Sequence, residues 1–160
     1  MQRVTLICVG KLKENYWREA CAEYQKRLQS FCRLELIEVE EERVSDNPSP
    51  AQIAQTLREE GRRILAKVPD GAAVLPLCIE GKSMSSGAFA QRLEDLAVNG
   101  VSSVALIIGG SWGLAEEVKR AGSWSISMSA MTFPHQLARV ILLEQLYRAF
   151  QIRSGGKYHK

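Results

Sequence analysis

Residues able to do chemistry gather in the last third of the chain. An apolar run from Val104 ends in Gly109-Gly110, and a second segment reads Ser127-Met128-Ser129-Ala130-Met131-Thr132-Phe133-Pro134-His135. Glycines let a backbone approach a ligand closely, small hydroxyl residues let peptide groups turn inward, and proline suits the first turn of a following helix. Two loops of this kind, each leaving a strand and entering a helix, make one binding site. From Pro134 onward the chain carries five cations (Arg139, Arg148, Arg153, Lys157, Lys160), one acid (Glu144) and both histidines, His135 and His159. Such a segment is either a phosphate-facing surface or a solvated tail.

Other chemistries fit poorly. Gly81-Lys82-Ser83 resembles the end of a phosphate-binding loop, but that motif needs a glycine where this chain has Pro76. Gly109-Gly110-x-x-Gly113 lacks the spacing of a dinucleotide fingerprint, and the first strand ends in the lone Gly10. The serines from 123 to 129 form no nucleophile elbow. Cys8, Cys21, Cys32 and Cys78 contain no C-x-x-C pair, and neither histidine is near a cysteine in sequence, so free thiols and no metal site are expected.

The elements that must carry these residues follow from periodicity. Arg3–Val9 reads as a buried strand, followed by a helix with Trp17, Cys21, Tyr24, Leu28 and Phe31 at helical spacing. Leu34–Val39 reads as a half-exposed strand, and residues 40–50 as an acidic loop. Ser49-Pro50-Ala51-Gln52 is a capping box that opens a helix bearing Ile53, Leu57, Ile64 and Leu65. A strand over Ala72–Ile79, a helix capped by Ser85 or Ser86 and stopped at Asn99-Gly100, and a strand over Val101–Ile108 come next. A short helix to about Ala121, a strand near Trp124–Ser127 and a helix from Pro134 to Phe150 complete five β-α repeats. Strict alternation predicts an α/β fold, a mainly parallel sheet with helices on both faces and ligands beyond the carboxyl ends of the strands.

At 160 residues, 46% of them apolar, the chain suits a single domain over 1–160. No apolar run is long enough to span a membrane and no signal peptide is evident, so a soluble, cytoplasmic protein is expected. The net charge of +3 is uneven: residues 1–80 hold 12 Lys+Arg against 13 Asp+Glu, and residues 81–160 hold 9 against 5. The last helix has apolar residues around most of its circumference, from Leu137 to Phe150, beyond the single stripe of a surface helix. Burial on two sides is required, by the sheet and by either the rest of the chain or a second copy; a homodimer is the expectation.

Taken together, these motifs resemble the RlmH family of SPOUT-class methyltransferases. The resemblance runs from Leu6-Ile7-Cys8-Val9-Gly10-Lys11 to Tyr158-His159-Lys160. Its most specific parts are Leu77-Cys78-Ile79-Glu80-Gly81-Lys82, Ile108-Gly109-Gly110-Ser111-x-Gly113-Leu114, Met131-Thr132-Phe133-Pro134-His135 and Glu144-Gln145-Leu146-Tyr147-Arg148-Ala149. It implies a SPOUT-type fold with a C-terminal trefoil knot, a homodimer, and S-adenosyl-L-methionine as cofactor. It implies methylation of N3 of a pseudouridine in the 23S rRNA of the large ribosomal subunit, and the modest net charge favours assembled ribosomes as the form acted on. Leu77, Gly109 and residues Met128, Ser129, Ala130, Met131, Thr132 and Phe133 would surround the cofactor. His135, Arg139, Tyr158 and His159 are the catalytic candidates, with His135 equally readable as a helix-start residue. Arg148, Arg153 and Lys157 are candidates for RNA phosphates. A related enzyme acting on transfer RNA or another RNA position, and a non-catalytic ribosome-binding module, are the alternatives.

Overall fold

The computed structural model describes residues 1–160. Ten elements alternate: β1 (Arg3–Val9), α1 (Asn15–Leu28), β2 (Arg33–Val39), α2 (Pro50–Leu65), β3 (Ala73–Ser83), α3 (Ser86–Val98), β4 (Ser103–Ile108), α4 (Glu116–Ala121), β5 (Ile126–Ser127) and α5 (His135–Arg153). The strands form one parallel sheet in the order β2-β1-β4-β3-β5, so the α/β expectation holds.

β1 and β4 are the central pair, and from Val4 to Val9 and Val104 to Ile108 their side chains are buried on both faces. Continuous burial explains why these strands read as unbroken apolar runs instead of alternating ones. On one face Leu6, Cys8, Leu106 and Ile108 pack beneath α1, α3 and α5; on the other Ile7, Val9 and Ile107 pack beneath α2 and α4. The predicted capping box is formed: Ser49 Oγ accepts from Gln52 N at 3.2 Å, and Gln52 Oε1 accepts from Ser49 N at 2.8 Å. All four cysteines are free, and burial pushes the Cys8 thiol up to about 12 and Cys32 to about 11, so neither ionises near neutral pH.

Two elements depart from their expected bounds. β3 continues past Ile79 to Ser83 because it changes partner: residues 73–76 pair with β4, and after a bulge Lys82 and Ser83 pair with β5. Gly81 sits at that bulge, where a Cβ would come 2.7 Å from the Ile126 carbonyl carbon, so glycine is needed for the strands to approach. β5 is only two residues long; Trp124 lies before it and packs under the Arg92 guanidinium, 5.2 Å from the ring centroid.

The apolar circumference of α5 is met largely within the chain. The helix lies in the trough between α1 and α3, over β4, and none of its 19 residues is exposed. Leu142, Leu143, Leu146 and Ala149 face the core, while Leu137 and Ile141 are half-buried. The all-round pattern therefore does not by itself call for a second copy.

Candidate functional site

A cavity of about 710 Å³ opens at the carboxyl ends of β3, β4 and β5. This is where an open parallel sheet offers loops to a ligand, and the volume lies within the ~300–1,000 Å³ of small-molecule sites. Three segments line it: 77–80 as β3 bulges, 108–114 after β4, and 128–138 leading from β5 into α5.

The loop after β4 is folded back on itself. Gly113 N donates to Gly110 O at 3.1 Å, and the two residues form an isolated antiparallel bridge. A Cβ on Gly109 would collide with the Gly113 carbonyl, so this turn can form only with glycine there. The segment after β5 is fixed by its serines: Ser127 Oγ donates to Ser129 O at 3.1 Å, and Met131 N donates to Ser129 Oγ at 3.0 Å. These small hydroxyls replace the ladder bonds that a two-residue strand cannot supply.

The rim carries apolar side chains with no partner in the chain. Ile79 is 50% exposed, Trp112 46% and Met131 73%. Beside them Lys119 and Glu80 form an ion pair, which raises the lysine and lowers the carboxylate pKa, so both stay charged.

Most of the residues expected around a cofactor meet on this wall: Leu77, Gly109, Met128, Ser129, Met131, Thr132 and Phe133. Ala130 lies in the same loop with its side chain exposed, off the cavity wall. Cys78, Ile79 and Glu80, quoted above within a motif but not placed at the cofactor, also line it, as do Trp112 and Lys119. The bulge that turns residues 78–80 inward has no local signal beyond Gly81, and Lys119 is brought in by α4 packing beside β3.

The catalytic candidates separate. His135 lines the cavity and is half-buried; burial lowers its pKa, Glu41 acts against that shift and Arg139 with it. Arg139, one turn further on, lies beneath the wall and not on it. Its guanidinium is 2% exposed, donates to Glu38 Oε2 at 2.8 Å and to Gly10 O at 3.2 Å, and leaves Nε without a partner. It ties the start of α5 to the ends of β1 and β2.

Tyr158 and His159 are elsewhere. After Gly155-Gly156 the tail turns back along α5: Tyr158 Oη donates to Glu144 Oε1 at 3.1 Å, its ring lies 4.7 Å from the Arg148 guanidinium, and His159 Nδ1 is 3.3 Å from Arg148 Nη1. Burial and the Glu144 hydrogen bond push Tyr158 up to about 12. Glu144 is nine residues beyond His135, about 13 Å along the helix axis.

The expected RNA cations also differ from one another. Arg148 is paired with Glu144 at 2.5 Å, while Arg153 is paired with Glu94 and donates to Gln2 Oε1 at 2.9 Å, at the amino end of the sheet. Lys157 is exposed and makes no ion pair. No group of three His, Cys, Asp or Glu side chains is placed to hold a metal ion, and no helix is long and apolar enough to cross a membrane.

A family model described as "Predicted SPOUT methyltransferase" matches residues 2–159. The chain belongs to the SPOUT methyltransferase family. Among solved structures, it is similar to a probable methyltransferase from Bordetella pertussis Tohama I, with 15% identity and a TM-score of 0.56 over 93% of this chain and 96% of that one. It is also similar to the SpoU methyltransferase AviRb from Streptomyces viridochromogenes, solved with the cofactor AdoMet, with 14% identity and a TM-score of 0.50 over 98% of this chain. The SPOUT chain described here spans 60% of AviRb's length. At these identities the two structures support the fold, and the family match spans nearly the entire chain.

Proposed function

We propose that this protein is an S-adenosyl-L-methionine-dependent methyltransferase that methylates N3 of a pseudouridine in 23S rRNA, acting on the large subunit within assembled ribosomes. The observation that carries the reading is the convergence of the three motif-bearing segments, 77–80, 108–114 and 128–135, on one cavity at the sheet's carboxyl end. The cofactor fits that cavity by chemistry: half-buried Leu77, Met128 and Phe133 offer an apolar slot for an adenine, and the glycine turn at 109–113 exposes backbone groups to polar atoms. AdoMet bound to AviRb supports the choice. When bound, it supplies a methyl group already activated by a positive sulfur, so the chain must chiefly position the acceptor and exclude water.

The acceptor is an imide nitrogen whose proton must leave. His135 is the base: it faces the cavity, and its lowered pKa keeps it neutral and able to accept a proton at pH 7. Arg139 is a positioning residue, holding the first turn of α5 through Glu38 and the Gly10 carbonyl. Tyr158 stays protonated and serves as a hydrogen-bond donor, and the tail orders over the target nucleotide once it leaves Glu144. Lys157 contacts phosphate.

The whole chain acts as one domain over residues 1–160, in the cytoplasm, and as a homodimer. The exposed Ile79, Trp112 and Met131 at the rim support the dimer, because a second copy placed there would close the cavity from water. The family match over residues 2–159 supports the trefoil knot. The test is methyl incorporation from labelled AdoMet into 50S particles, 70S ribosomes, transfer RNA and a short naked hairpin. Incorporation into the ribosomal particles alone is expected; equal methylation of the hairpin would remove the requirement for assembled ribosomes, and methylation of transfer RNA alone would favour the related-enzyme reading.

A further inference from the structure

The cations expected to meet RNA are largely spent inside the protein, since Arg148 and Arg153 each face a carboxylate. The loop from β1 to α1 shows the opposite arrangement. Lys11 and Lys13 are exposed and enter no ion pair, and Tyr16, opening α1 beside them, is 61% exposed.

The backbone beneath these side chains is held at every step. Gly10 N donates to Val39 O at 2.9 Å, and Gly10 O accepts from the buried Arg139. Leu12 is buried in the core. Arg18 Nη1 donates to Leu12 O and Lys13 O, each at 2.7 Å, and its Nη2 donates to Asn15 Oδ1. Two arginines thus brace the loop, Arg139 from the interior and Arg18 at the surface, while Lys11 and Lys13 carry ammonium groups in no ion pair. Arg139, which braces Gly10, is one turn from His135 on the cavity wall, so the loop borders the site at the same end of the sheet.

We propose that residues 10–16 form the seat for the substrate RNA beside the cavity, with Lys11 and Lys13 against successive phosphates and Tyr16 stacked on an unpaired base. This rests on the reading of the protein as an RNA methyltransferase. Tyr16 meets Trp17 edge-on, ring centroids 5.0 Å apart at 61°, so the tyrosine is braced and still largely exposed. A cation pair with an adjacent aromatic suits single-stranded RNA, where phosphates follow a groove and bases stack on rings. Acid lies beside them as well: Glu38 is matched by Arg139 and Glu42 by Arg63, but Glu14 within the segment and Glu40, Glu41 and Asp46 in the neighbouring loop enter no ion pair, so Lys11, Lys13 and the unpaired exposed Arg43 are local cationic contacts and not a uniformly basic patch. An acidic protein would use the lysines but has less use for the ring, and the cavity alongside must receive a base.

The variants Lys11→Ala/Lys13→Ala and Tyr16→Ala are compared with wild type for methyl transfer to 50S particles and for binding to deproteinised large-subunit RNA, at several salt concentrations. The double variant raises KM for the particle, leaves kcat at saturation unchanged, and lowers the slope of log affinity against log salt by about 1.4, or ~0.7 per lost phosphate contact. Tyr16→Ala weakens RNA binding about 5- to 150-fold with the salt slope intact, the range for one lost base stack. AdoMet affinity by calorimetry stays at the wild-type value, and Arg153→Met leaves the salt slope alone. An unchanged slope and KM in the double variant overturn the proposal. So does a loss seen with particles but absent with deproteinised RNA, which would place a ribosomal protein on the loop. If wild type methylates only transfer RNA, the 23S reading fails while the same slopes, measured on that RNA, still decide the role of the loop.

Discussion

The two ends of α5 carry similar residues in opposite states. At its start, His135 is half-buried against a cavity with no hydrogen-bond partner in the chain, and Arg139 is buried with its Nε unsatisfied. At its finish, Arg148 and Arg153 are each matched by a carboxylate, and Tyr158 donates to a third contact on Glu144. Buried polar groups are as a rule partnered, so groups left short beside a cavity mark a place where a ligand or a reaction can use them, whereas Gln2 Nε2 and Ser103 Oγ are left short away from this cavity's wall. The contrast assigns the base to the first turns of the helix, while the last turns hold the tail until it leaves Glu144.

The strongest way to break that contrast is His135→Asn, which keeps a hydrogen-bonding side chain and removes the base. It lowers kcat about 10²- to 10⁴-fold with AdoMet affinity unchanged, read by single-turnover methyl transfer and calorimetry. A next-largest effect comes from Gly109→Ala, whose methyl collides with the Gly113 carbonyl. Reshaping the turn weakens AdoMet binding about 30-fold or more while thermal stability falls by ~1–3 kcal/mol, the range for backbone strain. Arg139→Met removes the brace from Glu38 and Gly10; because Glu38 keeps a third of its surface in water, the cost is about 2 kcal/mol in urea unfolding, below the ~3–5 of a fully buried pair.

Smaller still is the pH effect of His135. Its folded pKa lies below the ordinary 6.5, so the unfolded chain binds the proton first and stability is lost as pH falls below about 6.5; in His135→Asn this slope flattens. At the fastened end, Arg153→Met costs about 1 kcal/mol, since the arginine side chain is only 18% exposed and also serves the buried Gln2 Oε1, and it leaves methyl transfer unchanged. A large loss of turnover in that variant would erase the distinction between the ends.

Local signals make much of this legible in the sequence. The unbroken apolar runs of β1 and β4, the Ser49–Gln52 capping box and the Asn99-Gly100 stop all depend on residues close in sequence, and each element formed where its pattern lay. The motifs at 77–82, 108–114 and 131–135 mark all three cavity walls for the same reason. What sequence did not reveal depends on topology. Arg139 and Glu38 are 101 positions apart, and only the placing of the first turn of α5 beside the ends of β1 and β2 turns a candidate for substrate contact into a buried brace. Residues 78–80 reach the third wall because β3 bulges toward β5, and Tyr158 and His159 lie against Glu144 and Arg148 because the chain reverses at Gly155-Gly156. Circumferential hydrophobicity in α5 pointed to a second copy, whereas two flanking helices of the same chain supply most of the cover.

The most direct test of the proposed reaction is nucleoside mass mapping of large-subunit RNA from cells with and without this protein. One pseudouridine should carry an N3-methyl group only when the protein is present, and His135→Asn expressed in its place should leave that position unmodified. Unchanged large-subunit RNA in cells lacking the protein would contradict the assignment.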